Sequence, residues 1–186
     1  QAEGKIEGFT MIAGSKNLIF KLENDPVWHY AGNALGVDTK TYPLAGNLDI
    51  ADKTVEEPIK LLEQENVILI TADIAESFFI KTGDTLLISN INVGKPIKVT
   101  VAGIIIDTPN HEGDKIYYSY DLARALDNGN LQLDTTMVNT SEENKQALID
   151  YADEIDAWVW SAYGLNTSRQ DRDSTVQLML NSAGGL

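Results

Sequence analysis

The tightest constraint on how this chain folds is four residues long. Val67, Ile68, Leu69 and Ile70 form an unbroken apolar run between Asn66 and Thr71. A run this short, without alternation, reads as a strand covered on both faces. Such a strand needs one layer above it and another below. Directly after it, positions 72–79 carry a helical stripe of Ile74, Ala75 and Phe78, with Thr71 placed as the N-cap. Lys81-Thr82-Gly83-Asp84 then breaks the helix before the next strand. Gly83 can take a positive φ there without steric penalty, so Gly83 and Asp84 are read as a turn that serves the fold.

The same pattern reading extends in both directions. Strands are expected over 5–12, 17–22 and 27–31, with Ala13-Gly14-Ser15 as the turn between the first two. A loop is expected over 42–47, and a short helix over 57–64 with Pro58 in its first turn. Further strands follow at 85–89, 97–106 and 116–120, the last two separated by a polar loop. A helix at 121–126 stops at Asp127-Asn128-Gly129-Asn130. The last quarter predicts a strand at 135–138, a helix at 142–155, a strand at 157–163 and a helix at 175–181. Ser141 suits the N-cap of the first of these helices, and Leu148, Tyr151, Ala152 and Ile155 form its apolar stripe. Strands and helices mixed without a strict βαβ rhythm make the fold class α+β. The sequence has no internal repeat and no low-complexity stretch.

Composition narrows the function classes. The chain has 186 residues, enough for one domain or two small subdomains sharing a core. Its 28 acidic residues against 14 basic ones give 14 − 28 = −14. An apolar content of 43% is ordinary, so the charge does not imply disorder. The acid excess argues against nucleic acid, whose backbone needs clustered Lys and Arg, and against an anionic lipid surface. No run approaches the ~18 apolar residues of a membrane span. No basic N-terminus leads into an apolar segment, so no signal peptide is read. The abrupt start at Gln1 and the Ala183-Gly184-Gly185-Leu186 ending read like an excised piece of a longer chain. Cysteine is absent, which removes disulfides, zinc–thiolate sites and thiol nucleophiles and leaves the compartment open.

Catalytic motifs fail on inspection. Gly94-Lys95 is followed by Pro96, and position 89 is Ser, so no phosphate-cradling loop is formed. Neither a G-x-G-x-x-G nor a G-x-S-x-G occurs. His111-Glu112-Gly113-Asp114-Lys115 begins like a zinc-protease motif, but its fifth residue is Lys; His111, Glu112 and Asp114 read as a solvated loop. Asp127-Asn128-Gly129-Asn130 has Gly where a calcium loop needs an oxygen ligand, and reads as a helix-ending turn. Asp171 and Asp173 alternate with Arg169 and Arg172, which works against a split acid–base pair. The expectation is no catalytic residue, no metal and no cofactor. Aromatics offer more. Trp158 and Trp160 fall on one face of a strand, as do Trp28 and Tyr30. Packing beneath a helix is the ordinary reading of such pairs; Trp158 and Trp160 are kept as a candidate ligand or partner surface. Asn139-Thr140-Ser141 and Asn166-Thr167-Ser168 match the glycosylation tripeptide, a pattern common by chance.

One region resembles a known family. The ordered set Val67-Ile68-Leu69-Ile70-Thr71, Ala75, Ile80-Lys81-Thr82-Gly83-Asp84-Thr85-Leu86-Leu87-Ile88 and Ile97-Lys98-Val99-Thr100-Val101-Ala102-Gly103-Ile104 is similar to the signature of MacB-like periplasmic core domains. Leu35-Gly36-Val37-Asp38 upstream, and Ile116-Tyr117-Tyr118-Ser119 with Asp121-Leu122-Ala123 downstream, extend the likeness over about 35–126. These are the extracytoplasmic domains of FtsX-like ABC transporter permeases. The resemblance implies a porter-like α/β subdomain built from both chain ends, 1–47 and 134–186, with an inserted, β-rich, Sabre-like subdomain at 48–133. It implies a place between two transmembrane helices. It also implies partnership with a second permease subunit, a cytoplasmic ABC ATPase and an extracytoplasmic adaptor or substrate protein. Both ends would then share one pole, the N-terminal strands would pack on the final unit, and Ile68, Ile74, Phe78, Leu86 and Val101 would form the core of the insertion. A stand-alone secreted module for carbohydrate, with Trp158 and Trp160 as its platform, is the alternative.

Overall fold

Every side chain of β6 (Val67–Thr71) is buried. The computed structural model describes residues 8–15, 17–31, 33–45, 48–107, 115–131, 133, 135–141, 144, 146–147, 150, 157–161 and 175–182. Successive β6 side chains point to opposite sides, and each side meets its own apolar layer. Ile68 and Ile70 pack with Ile116 and Tyr118 of β9 (Lys115–Ser119), Val99 and Val101 of β8 (Ile97–Asp107), and Leu86 and Ile88 of β7 (Thr85–Asn90). Helices α1 (Ala72–Ser77) and α2 (Tyr120–Leu126) cover that side with Ile74, Ala75, Leu122, Ala123 and Leu126. On the other side, Val67 and Leu69 meet Tyr117 and Ile105. Tyr42 of the 3-10 helix η1 (Tyr42–Ala45), Leu48, Ile50, and Ile59 and Leu62 of the 3-10 helix η2 (Pro58–Glu63) complete this second cluster. The two-faced burial expected from the apolar run is therefore met, and the fold is α+β.

Twelve strands form one mixed sheet among the described residues. β6 pairs in parallel with β8 and antiparallel with β9. Beyond β9 come β4 (Asn33–Val37), β1 (Gly8–Ser15), β10 (Thr135–Ser141), β12 (Thr175–Ser182) and, last in order, β11 (Ala157–Ser161). Beyond β8 come β7, β2 (Leu18–Leu22) and β3 (His29–Tyr30), while β5 (Asp49–Ile50) pairs with β8 off this path. The β6–β8 register shifts by one residue after Ile68, leaving Leu69 opposite Gly103. A Cβ at Gly103 would lie 3.2 Å from the Leu69 side chain and 3.3 Å from that of Ile50, so the absence of a side chain admits both.

Several local expectations are corrected. Positions 175–181 form a strand rather than a helix: Thr175–Ser182 lies antiparallel between β10 and β11, with Val138 opposite Leu178 and Trp160 opposite Met179. A segment offered a partner on each side gains two hydrogen-bonded ladders, which outweighs the helical preference of Leu and Met. Ala13-Gly14-Ser15 continues β1 and pairs with β4 instead of turning. The 57–64 helix is 3-10 over Pro58–Glu63, and 42–45 is also 3-10. Of the expected 142–155 helix, Asn144, Gln146, Ala147 and Asp150 are helical, with the Gln146 amide donating to the Asp150 carboxylate at 2.8 Å. Its stripe residues Leu148, Tyr151, Ala152 and Ile155 lie outside the described residues, as do Gln1 and Leu186. Ile68, Ile74, Leu86 and Val101 cluster with Phe78 packed on them, and Leu18, Phe20, Ala31 and Ala34 join the same cluster.

Candidate functional site

The Gly83–Asp84 turn ties α1 to two strands. Gly83 has φ 92°, and no atom lies within 4 Å of where its Cβ would be, so backbone conformation alone demands glycine. Its N–H donates to the Val101 carbonyl at 2.8 Å, and the Val101 N–H donates to the Asp84 carbonyl at 3.0 Å. The Asp84 carboxylate accepts the Lys81 N–H at 2.7 Å, closing the turn on itself. Gly83, Asp84 and Thr85 face Leu22, Glu23, Asn24, Asp25 and Pro26 across an open cleft of about 680 Å³.

Three carboxylates border that cleft, and each already holds a donor. Glu23 pairs with Lys98 at 2.7 Å, Asp25 accepts the Val27 N–H at 2.8 Å, and Asp84 holds Lys81. Lys21 donates to the Asp25 carbonyl at 2.8 Å and sits 5.7 Å from the Trp28 ring centroid. A lysine holds Glu23 and backbone amides hold Asp25 and Asp84, so each is an engaged surface carboxylate, and nothing in the arrangement resembles an acid–base couple.

Aromatic residues flank the same end of the sheet. His29 pairs with Phe20 across β3 and β2, and its ring lies 4.5 Å from that of Phe78. Tyr30, opposite Ile19, is 58% exposed, and Val27 and Trp28 beside it are also open to solvent. The pairing of Trp28 with Tyr30 on one strand is cut short, because β3 holds His29–Tyr30 alone. Trp158 and Trp160 lie at the far end of the sheet order in β11, in register with Asn181 and Met179; their side chains lie outside the described residues. Reading the sequence missed Phe79. It is 87% exposed and holds φ 55° just past α1, where the Ile80 N–H donates back to the Ala75 carbonyl at 2.9 Å. Its place as the last residue of the expected helix gave no sign of this, since the helix ends at Ser77 rather than at 79.

His111, Glu112 and Asp114 lie outside the described residues, and among the described residues no group of His, Cys, Asp and Glu is placed to hold a metal. Asp127, Asn128 and Gly129 terminate α2. Among the described residues no helix is long and apolar enough to cross a membrane.

Comparison with known proteins places the fold. Residues 7–155 match the sequence profile of a family described as the MacB-like periplasmic core domain. The extracellular domain of the noncanonic ABC-type transporter YknZ from Gram-positive bacteria is similar, with a TM-score of 0.55 and 16% identity over 93% of this chain and 82% of that one. A domain assigned to a permease protein of Porphyromonas gingivalis is also similar, at a TM-score of 0.51 and 12% identity over 97% of this chain and 74% of the other. No curated protein sequence matches. At these identities the two structures share the fold with this chain.

Proposed function

The chain belongs to the MacB-like periplasmic core domain family, and from that premise we propose that it is the extracytoplasmic domain of an ABC transporter permease. In this reading it stands outside the membrane between two transmembrane helices of its own permease. ATP binding by a cytoplasmic ATPase moves those helices, and the domain relays the motion to a substrate or an extracytoplasmic partner. The family match over 7–155 carries the proposal; the fold shared with the YknZ extracellular domain supports it. The domain itself does no chemistry in this reading, so the purified fragment turns over no ATP.

The absence of cysteine provides the test. With any cysteine outside this chain replaced, a single label at an exposed site such as Asn92→Cys, in the full-length permease with its ATPase, reports the distance between two permease copies by spin–spin coupling. The distance is expected to change between ATP-free and ATP-bound states. An unchanged distance in a complex that hydrolyses ATP would sink the relay.

We also propose that 1–47 and 134–186 form the porter-like part and 48–133 the insertion. The antiparallel pairing of β1 with β10 supports this, because it joins the two ends of the chain across everything between them. β2 pairs with β7 and so stitches the two parts together. Native-state hydrogen exchange tests the division: the β1, β10 and β12 amides should open as one unit, and those of β6 to β9 as another.

A further inference from the structure

The chain contains one Asn-Gly dipeptide, Asn128-Gly129, and it sits in the turn that ends α2. Asn128 holds φ 53° and Gly129 φ 93°. The Gly129 N–H donates to the Arg124 carbonyl at 2.6 Å, the six-to-one bond of a Schellman ending with Asn128 in the left-handed position. The Asp127 N–H is shared between the Ala123 and Arg124 carbonyls at 3.2 Å each. Asn128 and Gly129 are both exposed, whereas Leu126, two residues earlier, is buried in the cluster beneath α2.

Asparagine followed by glycine is the pair most prone to spontaneous loss of ammonia, because glycine adds no side chain to hinder ring closure. The Gly129 nitrogen gives up its proton and bonds to Cγ of Asn128, and the side-chain nitrogen leaves as ammonia. Water then opens the five-membered imide at either carbonyl, leaving aspartate or its β-linked isomer. The sum is Asn plus water giving Asp or isoaspartate plus ammonia, with no oxidant or catalyst required. We propose that Asn128 is a deamidation site gated by the end of α2. The nitrogen that must attack is the one whose proton the Arg124 carbonyl holds, so reaction waits for that bond to open. The β-linked product carries an extra backbone methylene between 128 and 129, which moves the Gly129 N–H off Arg124. The turn then stays open, and the modification becomes a permanent record of transient opening.

The test follows Asn128 by peptide mass spectrometry during incubation in mildly alkaline buffer. The folded chain should react roughly two- to tenfold more slowly than the same chain unfolded in urea, the range set by one net hydrogen bond. Leu126→Ala, which loosens α2, should bring the folded rate toward the unfolded one; Asn128→Gln should abolish the reaction. Exchange of the Gly129 amide, measured on the unaltered chain at increasing sub-denaturing urea, should rise in step with deamidation, so the gate is tested even where Leu126→Ala does not fold. Equal rates in folded and unfolded chains, or Gly129 exchange that rises while deamidation does not, would overturn the gate. An unfolded chain that reacts at other asparagines and spares Asn128 would overturn the site.

Discussion

Gly36 in β4 and Ala123 in α2 approach so closely that a Cβ built at position 36 would lie 2.9 Å from the Ala123 Cβ. The same atom would meet Ala13 Cβ and Tyr118 Cε2 at 3.1 Å each. Glycine here sets how near α2 can lie to the sheet, and so how deeply Leu122 and Leu126 are buried. Gly36→Ala is expected to lower stability by about 1–3 kcal/mol through overpacking, measured by urea denaturation. Adding Ala123→Gly should recover part of the loss beyond additivity, and not all of it, since Ala13 and Tyr118 remain. Strict additivity of the two changes would mean that the helix position is set elsewhere.

Thr71 stands at the N-cap position of α1, yet its side chain does not cap the helix. Its hydroxyl instead accepts the Lys115 N–H at 3.0 Å, 44 residues away, where β9 begins. Thr71→Val keeps the shape and removes the acceptor from a buried backbone donor. A loss of about 1–3 kcal/mol is expected. Ser119, whose side chain does accept the Leu122 N–H at 3.3 Å, gives the comparison: Ser119→Ala should cost about 1 kcal/mol, the usual value of a cap. If Thr71→Val unfolds at the same urea concentration as the parent, the Lys115 bond does not matter to stability.

The contrast between these two residues shows where the sequence was legible. β6 was readable because four apolar residues in a row admit one environment, and the end of α2 because Asp127-Asn128-Gly129-Asn130 is a run of turn formers. Thr71 looked like a cap because local pattern cannot see a partner 44 residues on. β4 was not read as a strand, although part of it entered the family likeness: Asn33-Ala34-Leu35-Gly36-Val37 has little strand propensity, and β1 and β9 on either side supply the reason it is extended. β12 was misread for the same reason. Its Gln177-Leu178-Met179-Leu180 core suits a helix locally, and the ladders with β10 and β11 decide otherwise. At the candidate site, Gly83 was marked by its type and turn context, while Phe79 carried no mark because its exposure depends on where α1 stops.

Phe79 and Gly83, four residues apart, both hold positive φ, and they should respond in opposite directions. A bulky residue in the left-handed region carries a strain of order 1 kcal/mol, and the Ile80–Ala75 bond marks the place where glycine normally ends a helix. Phe79→Gly is therefore expected to stabilise by about 0.5–1 kcal/mol, with the exposed ring contributing little to the fold. Gly83→Ala meets open space and still should destabilise by about 1 kcal/mol, from backbone strain alone. Thermal melts of both variants check the pair of signs. A Phe79→Gly protein less stable than the parent would show that the ring packs on something in solution.

Tyr120 opens α2, and its hydroxyl donates to the Met11 carbonyl of β1, 109 residues away. Burial lifts its pKa above the ordinary tyrosine value, the negative charge of Asp38 adds to the rise, and Arg124 opposes it. Both upward causes favour the neutral, donating form. The folded pKa thus exceeds the unfolded one, so the resulting stability is complete below about pH 10 and is lost as pH climbs through the raised folded value. Near neutrality, Tyr120→Phe should cost about 1 kcal/mol by removing the donor from a partly buried carbonyl. As pH climbs through the raised folded value the parent loses that bond as well, with an anion forming near Asp38, so the two proteins should converge in Tm and the variant should then overtake. A Tm difference that stays constant from neutral to strongly alkaline pH would show that the hydroxyl does not titrate with folding, and that packing of the ring, which Phe retains, holds α2 against β1.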